Sequence, residues 1–182
     1  MPTAALKVRE IGQYQQYVSI VGATEPHLAI WDSSGTAHDS DSSYILIHSL
    51  AGGSGQVSFR FFDMAEGLEP TSLTINIAAK RDNAANGCTF DFGLFDPAGP
   101  FFSSFFSAVL TSSYQVFSGT YTVDPFTGAA WSLDEMRRYE IYLRRPPPIT
   151  ATGGRLTLLS ASVDYARVWN SLAPEPYTYL VN

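Results

Sequence analysis

The chain has 182 residues, enough for one domain with a buried core and too few for two of ordinary size. Hydrophobic residues make up 45% and charged residues only 15%, which excludes a disordered chain. A formal net charge of −6 argues against a general nucleic-acid binder, and a single cysteine excludes both an intrachain disulfide framework and a cysteine-based zinc cluster.

Residues 1–17 include Gln13-Tyr14-Gln15-Gln16-Tyr17, are polar and aromatic without a core period, and read as an N-terminal arm. The first residues lack the apolar stretch of a signal peptide, so a soluble protein made in a cytoplasm is expected. Residues 18–21 and 28–31 read as strands, followed by a polar stretch at 32–43. Tyr44-Ile45-Leu46-Ile47 is the next strand, and Ala51-Gly52-Gly53-Ser54-Gly55 a flexible turn. Val57-Ser58-Phe59-Arg60-Phe61 alternates and places Val57, Phe59 and Phe61 on one face. The pattern returns at 73–77, 90–94 and 114–123, with 156–165 the longest strand. Cys88 opens the third of these as a small buried thiol.

One segment reads as a helix, 133–139, with Ser132 and Glu135 spaced for a capping box and Met136 and Tyr139 available to the core. Arg144-Arg145-Pro146-Pro147-Pro148 then reads as a stiff, exposed connection. After Trp169, Ala173-Pro174-Glu175-Pro176 breaks regular pairing, so residues 169–182 read as an extended tail. The expected fold is all-β: an antiparallel β-sandwich of jelly-roll form over 18–168, with extended terminal arms.

Sites for chemistry are sparse. The stretch from Asp32 to Asp41 has the oxygen ligands that suit calcium, but its spacing fits no EF-hand, and a solvated loop is the plainer reading. Ser, His and Asp occur there together without a nucleophile elbow. His27, His38 and His48 have no helical metal-ligand spacing, and Gly52-Gly53-Ser54-Gly55 lacks the lysine and helix of a phosphate cradle. No enzyme, catalytic residue, metal or cofactor is therefore expected.

Two features point to contacts with other molecules. Phe101-Phe102-Ser103-Ser104-Phe105-Phe106 places phenylalanine on both faces of a strand, so either the fold covers both or one face meets a neighbour. Charge is also segregated: 137–167 holds six arginines against Glu140 and Asp164, whereas 32–96 holds nine acids against three bases. Opposite patches can join copies edge to edge, or the arginine stems can simply cover sheet edges.

The run Asp124-Pro125-Phe126-Thr127-Gly128-Ala129-Ala130-Trp131-Ser132, leading into a short helix, resembles a pattern in structural proteins of tailed bacteriophages. Asp39-Ser40-Asp41-Ser42-Ser43-Tyr44 and Val163-Asp164-Tyr165 resemble further marks of those proteins in matching order. Arg137-Arg138-Tyr139-Glu140 departs from the glycine common at the helix-to-strand step there. The resemblance implies a virion structural protein with a sandwich fold, foremost a capsid decoration or cement protein. The alternatives are a tail, collar or fibre-base component or, from another class, a jelly-roll carbohydrate-binding module using Trp31, Trp131 and Trp169. Implied partners are the major capsid protein or other virion proteins, with a homotrimer as the favoured oligomer and neither nucleic acid nor membrane. The expected interface residues are Tyr14, Tyr17, Phe101, Phe102, Phe105, Phe106, Arg144, Arg145, Trp169, Tyr177, Tyr179 and Leu180.

Overall fold

The computed structural model describes residues 2–6, 8–16, 19–30, 42–47, 55–61, 68–82, 88–99, 101–146 and 153–167. Through them run β1 (Thr3–Leu6), β2 (Val8–Gln16), β3 (Ser19–Val21), α1 (Pro26–Ala29), β4 (Tyr44–Ile47), β5 (Gln56–Phe61) and β6 (Leu68–Arg81). There follow β7 (Cys88–Asp96), β8 (Phe101–Phe102), β9 (Phe106–Leu110), β10 (Gln115–Tyr121), α2 (Leu133–Arg138), β11 (Glu140–Arg144) and β12 (Gly154–Arg167).

The strands form two antiparallel sheets. The first has the order β10-β6-β12-β4-β3, and β1 shares an edge of β12 with β4. The second has the order β2-β5-β11-β7, and β8 and β9 share the far edge of β7. This is the all-β antiparallel sandwich of jelly-roll class that the alternation predicts.

Alternation decides which side chains fill the space between the sheets. In β6, Leu73, Ile75, Ile77 and Ala79 are buried, while Ser72, Thr74 and Asn76 lie on the other face. A bulge at Thr157 resets the alternation of β12, so that Leu156 before it and Leu159, Ala161 and Val163 after it all reach the core. The facing sheet contributes Val57 and Phe59 from β5, Phe90, Phe92 and Leu94 from β7, and Ile141 and Leu143 from β11. Burying one such side chain stabilises the fold by about 1.5–3 kcal/mol. Cys88 is buried among them, and desolvation pushes its thiol pKa up.

The segment from Asp124 to Tyr139 closes one end. The buried Asp124 carboxylate accepts from Phe126 N at 2.9 Å, Thr127 Oγ1 at 2.7 Å and Tyr139 OH at 3.0 Å. Trp131 is 7% exposed, and its indole Nε1 donates to Tyr121 O at 3.3 Å. The capping box of Ser132 and Glu135 forms as its spacing predicts, and α2 ends at Arg138 with Tyr139 as its cap. The phage-like motif is thus an end plug of the sandwich.

Several expectations need correction. Residues 3–6 and 8–16 are strands of the two sheets: β1 pairs with β12 from Thr3↔Asp164 to Leu6↔Ala161, and β2 pairs with β5 from Val8↔Phe61 to Gln16↔Gln56. Their polar composition hid this, because only Leu6, Val8 and Ile11 are offered to the core and they come from two different sheets. Residues 28–30 do not form the strand expected over 28–31, whose last residue lies outside the described residues; Pro26 starts a single helical turn in which Leu28 N and Ala29 N both donate to Glu25 O. Arg144 and Arg145 do not form an exposed connection. Arg144 ends β11, and Arg145, 2% exposed, lies beside Cys88 with its backbone N donating to Gly55 O. The C-terminal tail, 169–182, lies outside the described residues.

Candidate functional site

The outer face of the second sheet is built by the same alternation that fills the core. Val57 and Phe59 point inward, leaving Gln56, Ser58 and Arg60 outside; Ile141 and Leu143 leave Glu140, Tyr142 and Arg144; Phe92 and Leu94 leave Asp91 and Phe95. Because Tyr142 lies opposite Gly93 and Ser58, its ring spreads over their neighbours.

Aromatic rings gather there. Tyr142 has ring-centroid distances of 5.0 Å to Tyr14, 4.7 Å to Phe102 and 5.8 Å to Phe105. Phe95 is fully buried beneath Tyr14 and Phe102, at 5.1 and 5.2 Å. Burial pushes the Tyr142 phenol up to about 12, and its hydroxyl donates to Gln56 Oε1 at 2.8 Å. Tyr142 is the floor of the cluster, and Tyr14, Phe102 and Phe105 form its accessible ridge.

Backbone irregularities deliver two of the ridge residues. Between Ile11 and Gln15, β2 slips register against β5. Gln13 N donates to Glu140 Oε2 at 2.8 Å and Tyr14 N to Ser58 Oγ at 3.0 Å, which fixes Tyr14 over the sheet. Gly12 is required at this point, since a Cβ would collide with Glu140 Oε2 and Ser58 Oγ. On the other edge, residues 103–105 interrupt the pairing between β8 and β9. Ser103 N donates to Leu94 O at 3.0 Å, Ser103 Oγ accepts from Leu94 N at 2.8 Å, and Tyr121 OH donates to Ser104 O at 2.6 Å. The clasp brings Phe105 within 6.1 Å of Phe102.

Ion pairs frame the ridge. Arg144 reaches Asp91 Oδ2 at 3.2 Å and lies 4.1 Å from the Phe105 ring centroid. Arg60 Nε donates to Glu140 Oε1 at 2.9 Å, a bond that holds the Arg60 guanidinium pKa above its ordinary value. Arg138 makes a two-pronged contact with Asp96, both distances 2.9 Å, at the strand end where Phe101 pairs. Beyond the ridge, Phe101, Phe102, Pro125 and Phe126 line an open groove of about 300 Å³. Phe126 in turn packs on Tyr139 at 4.7 Å.

These placements sort the sequence-predicted interface residues. Tyr14, Phe102 and Phe105 meet on one face, with Phe101 at its rim, 65% exposed. Phe106 turns the other way, against Phe92 and Tyr121, so the phenylalanine run is divided between outside and core. Arg145 is withdrawn from the surface, and Tyr17, Trp169, Tyr177, Tyr179 and Leu180 lie outside the described residues. The two charge groups of the sequence meet within the chain: Arg138 with Asp96, Arg144 with Asp91 and Arg155 with Asp82. At these positions the segregation reflects intrachain pairing across strands rather than patches left for another copy. Sequence reading missed Tyr142, Gln56 and Arg60, whose even spacing along β11 and β5 was the available signal. Among the described residues no group of three or more His, Cys, Asp and Glu could hold a metal ion, and no helix is long and apolar enough to cross a membrane.

The fold and face define a β-sandwich with an aromatic cluster on the outer face of one sheet. No family model matches the sequence, and no curated protein matches it. The chain is similar to solved structures that are distant in sequence. The enzymatically active domain of bacteriophage CBA120 tailspike protein 4 is 10% identical, with 90% of this chain and 19% of that one covered and a TM-score of 0.46. The arabinose-bound MgGH51 α-L-arabinofuranosidase is 11% identical, with 87% and 27% covered and a TM-score of 0.49. The family 11 carbohydrate-binding module from Clostridium thermocellum, in complex with a β-1,3-1,4-mixed-linked tetrasaccharide, is 13% identical, with 89% and 86% covered and a TM-score of 0.45. The chain thus spans well under a third of the first two. At these identities the likeness is one of strand arrangement, and function has to be read from the site.

Proposed function

We propose that this chain is a non-catalytic glycan-binding module that holds its ligand on the outer face of the second sheet. The observation that carries this reading is the ridge of Tyr14, Phe102 and Phe105 over Tyr142, rings within 4.7–5.9 Å of a neighbour and bordered by fixed polar groups. Sugar rings offer apolar C–H faces that stack on aromatic side chains, while their hydroxyls need directed donors and acceptors at the rim. An aromatic surface with a few placed polar groups matches both demands. The test is affinity electrophoresis or calorimetry against a panel of polysaccharides. Phe102→Ala, at a 41% exposed position, is expected to weaken binding at least tenfold, whereas Val123→Ala leaves it unchanged. A folded sample that binds no glycan overturns the reading.

A second reading, a bacteriophage virion component, is favoured by apolar side chains exposed away from the ridge. Val109 and Val116 on β9 and β10 are 65% and 55% exposed, and Val123 is 46% exposed. Exposed apolar side chains on the edge strands of both sheets suit contact with a protein neighbour, whether a major capsid protein, a tail part or further copies in a trimer. Light scattering with and without empty capsids tests it. Hundreds of copies per particle support a shell protein, a dozen or fewer a tail part, and no attachment removes the reading.

A further inference from the structure

We infer that the ligand of the second-sheet face is an acidic glycan, one whose sugar rings carry carboxylates; this rests on the glycan-binding reading above. The argument comes from how the ion pairs around the ridge are layered. Each consists of a carboxylate set into the protein and a guanidinium above it. Glu140 is 0% exposed and Asp91 and Asp96 are 8% exposed, whereas the side chains of Arg60, Arg144 and Arg138 are 52%, 38% and 43% exposed.

These buried acids serve as anchors that fix the arginines; at Arg60 the half-exposed Glu10 also reaches Nη1 at 3.3 Å, so it is at Arg144 and Arg138 that a ligand meets guanidinium edges set only over buried acids. Arg60 and Arg144 also keep donors in reserve. Arg60 engages its carboxylates through Nε and Nη1, and Arg144 through Nε and Nη2, which leaves one terminal nitrogen on each of these two unengaged among the described residues; Arg138, held to Asp96 through Nε and Nη2, also meets Tyr139.

The spacing suits a chain-like ligand. Arg144 lies opposite Gln56, four residues along β5 from Arg60, a separation of about 13 Å at the rise of a strand. Tyr142, the floor of the aromatic ridge, lies opposite Ser58, midway between Gln56 and Arg60 in this register, so a chain-like ligand crossing the ridge passes a cationic donor on either side of Tyr142. A guanidinium already oriented by one carboxylate presents its remaining N–H groups without further ordering, and its planar fork matches a second carboxylate. A neutral glycan gains the stacking alone.

The experiment compares polygalacturonate and polysialate with fully methyl-esterified polygalacturonate, which keeps the backbone and removes the charge, using the intact chain. At low salt the acidic polymers are expected to bind at least tenfold more tightly than the ester, with the advantage shrinking as salt rises toward 0.5 M. Arg60→Gln and Arg144→Gln together are expected to bring acidic and neutral polymers to the same affinity. Arg144→Lys, which keeps the charge without the fork, should fall between. Should the double substitution unfold the protein, the salt titration of the unaltered chain decides alone. Equal binding of acid and ester, with both lost in Phe102→Ala, overturns the acidic preference while the glycan reading stands. Binding to no polymer, neutral ones included, overturns that reading and the acidic preference with it.

Discussion

The two sheets have nearly opposite outer faces. On the first, the exposed rows of β6, β10, β12 and β1 carry small hydroxyl and amide side chains that bond to one another, alongside the exposed Val116 of β10. Thr74 pairs with Thr120 at 2.9 Å, Ser118 donates to Asn76 at 2.6 Å, and Thr3 and Ser72 both donate to Asp164. On the second, the same positions in the alternation carry tyrosine, phenylalanine and arginine. The core-facing rows are equally apolar on both sheets, so the requirement to fold does not account for the difference. One face has saturated its own hydrogen bonds with short side chains; the other has gathered the rings and orients its cations over buried acids.

The largest expected effect tests the buried side of that contrast. Glu140 accepts from Gln13 N, Ser58 Oγ and Arg60 Nε. Glu140→Ala leaves all three without their acceptor and is expected to cost about 3–5 kcal/mol, a fall of about 10 °C in Tm by calorimetry at this chain length. It should also free Tyr14 and weaken glycan binding. Next comes Tyr121→Phe, which removes the hydroxyl bonded to Ser103 and Ser104. A loss of about 1–3 kcal/mol in chemical denaturation is expected, with weaker binding because Phe105 is no longer held in place.

A smaller effect appears with pH on the first sheet. The hydroxyls of Thr3 and Ser72 hold the Asp164 carboxyl below its ordinary value. A depressed folded-state value means that its contribution is present above the unfolded carboxylate range and is lost as pH falls through the folded value. The protection factors of the β1 amides, exchange rates taken relative to the unfolded chain at the same pH, should therefore fall on acidification, and Asp164→Asn should abolish that dependence. Smallest of all, Thr74→Ala is expected to change stability by less than about 0.5 kcal/mol and to leave glycan affinity unchanged. A measurable loss of binding there would break the comparison.

Much of this architecture can be read from residue order. The alternation at 57–61, 73–77 and 90–94 marks strands that the structure contains, and Ser132 with Glu135 marks the start of α2. The binding face is only half legible. Phe102 and Phe105 stand out because they cannot all be core, but Tyr14 looks like part of an arm, since its position depends on a slip in register that a periodicity search treats as noise. Tyr142 resembles a core residue beside Ile141 and Leu143, because the even spacing that sets it with Glu140 and Arg144 on the outer face extends over only the five residues of β11. Charge was the most misleading signal. Linear blocks of acid and base suggest patches, yet antiparallel pairing brings β7 beside β11 and sets Asp91 against Arg144.

The clasp at Ser103 has a consequence for how this chain can vary. Phe102 and Phe105 are separated by an odd number of positions, which in an uninterrupted strand places them on opposite sides. They share a side because the backbone breaks step there, and the space for the break exists because position 93 is glycine: a Cβ would lie 2.9 Å from Ser103 Oγ and 3.0 Å from Tyr121 OH. An unbroken strand of the same residues would turn Phe105 toward the interior and Phe106 out into water. The additional residue taken up at 103–105 keeps Phe102 and Phe105 on one side and still returns Phe106 to the core, so the break in step, more than any one side chain there, decides which rings reach the surface.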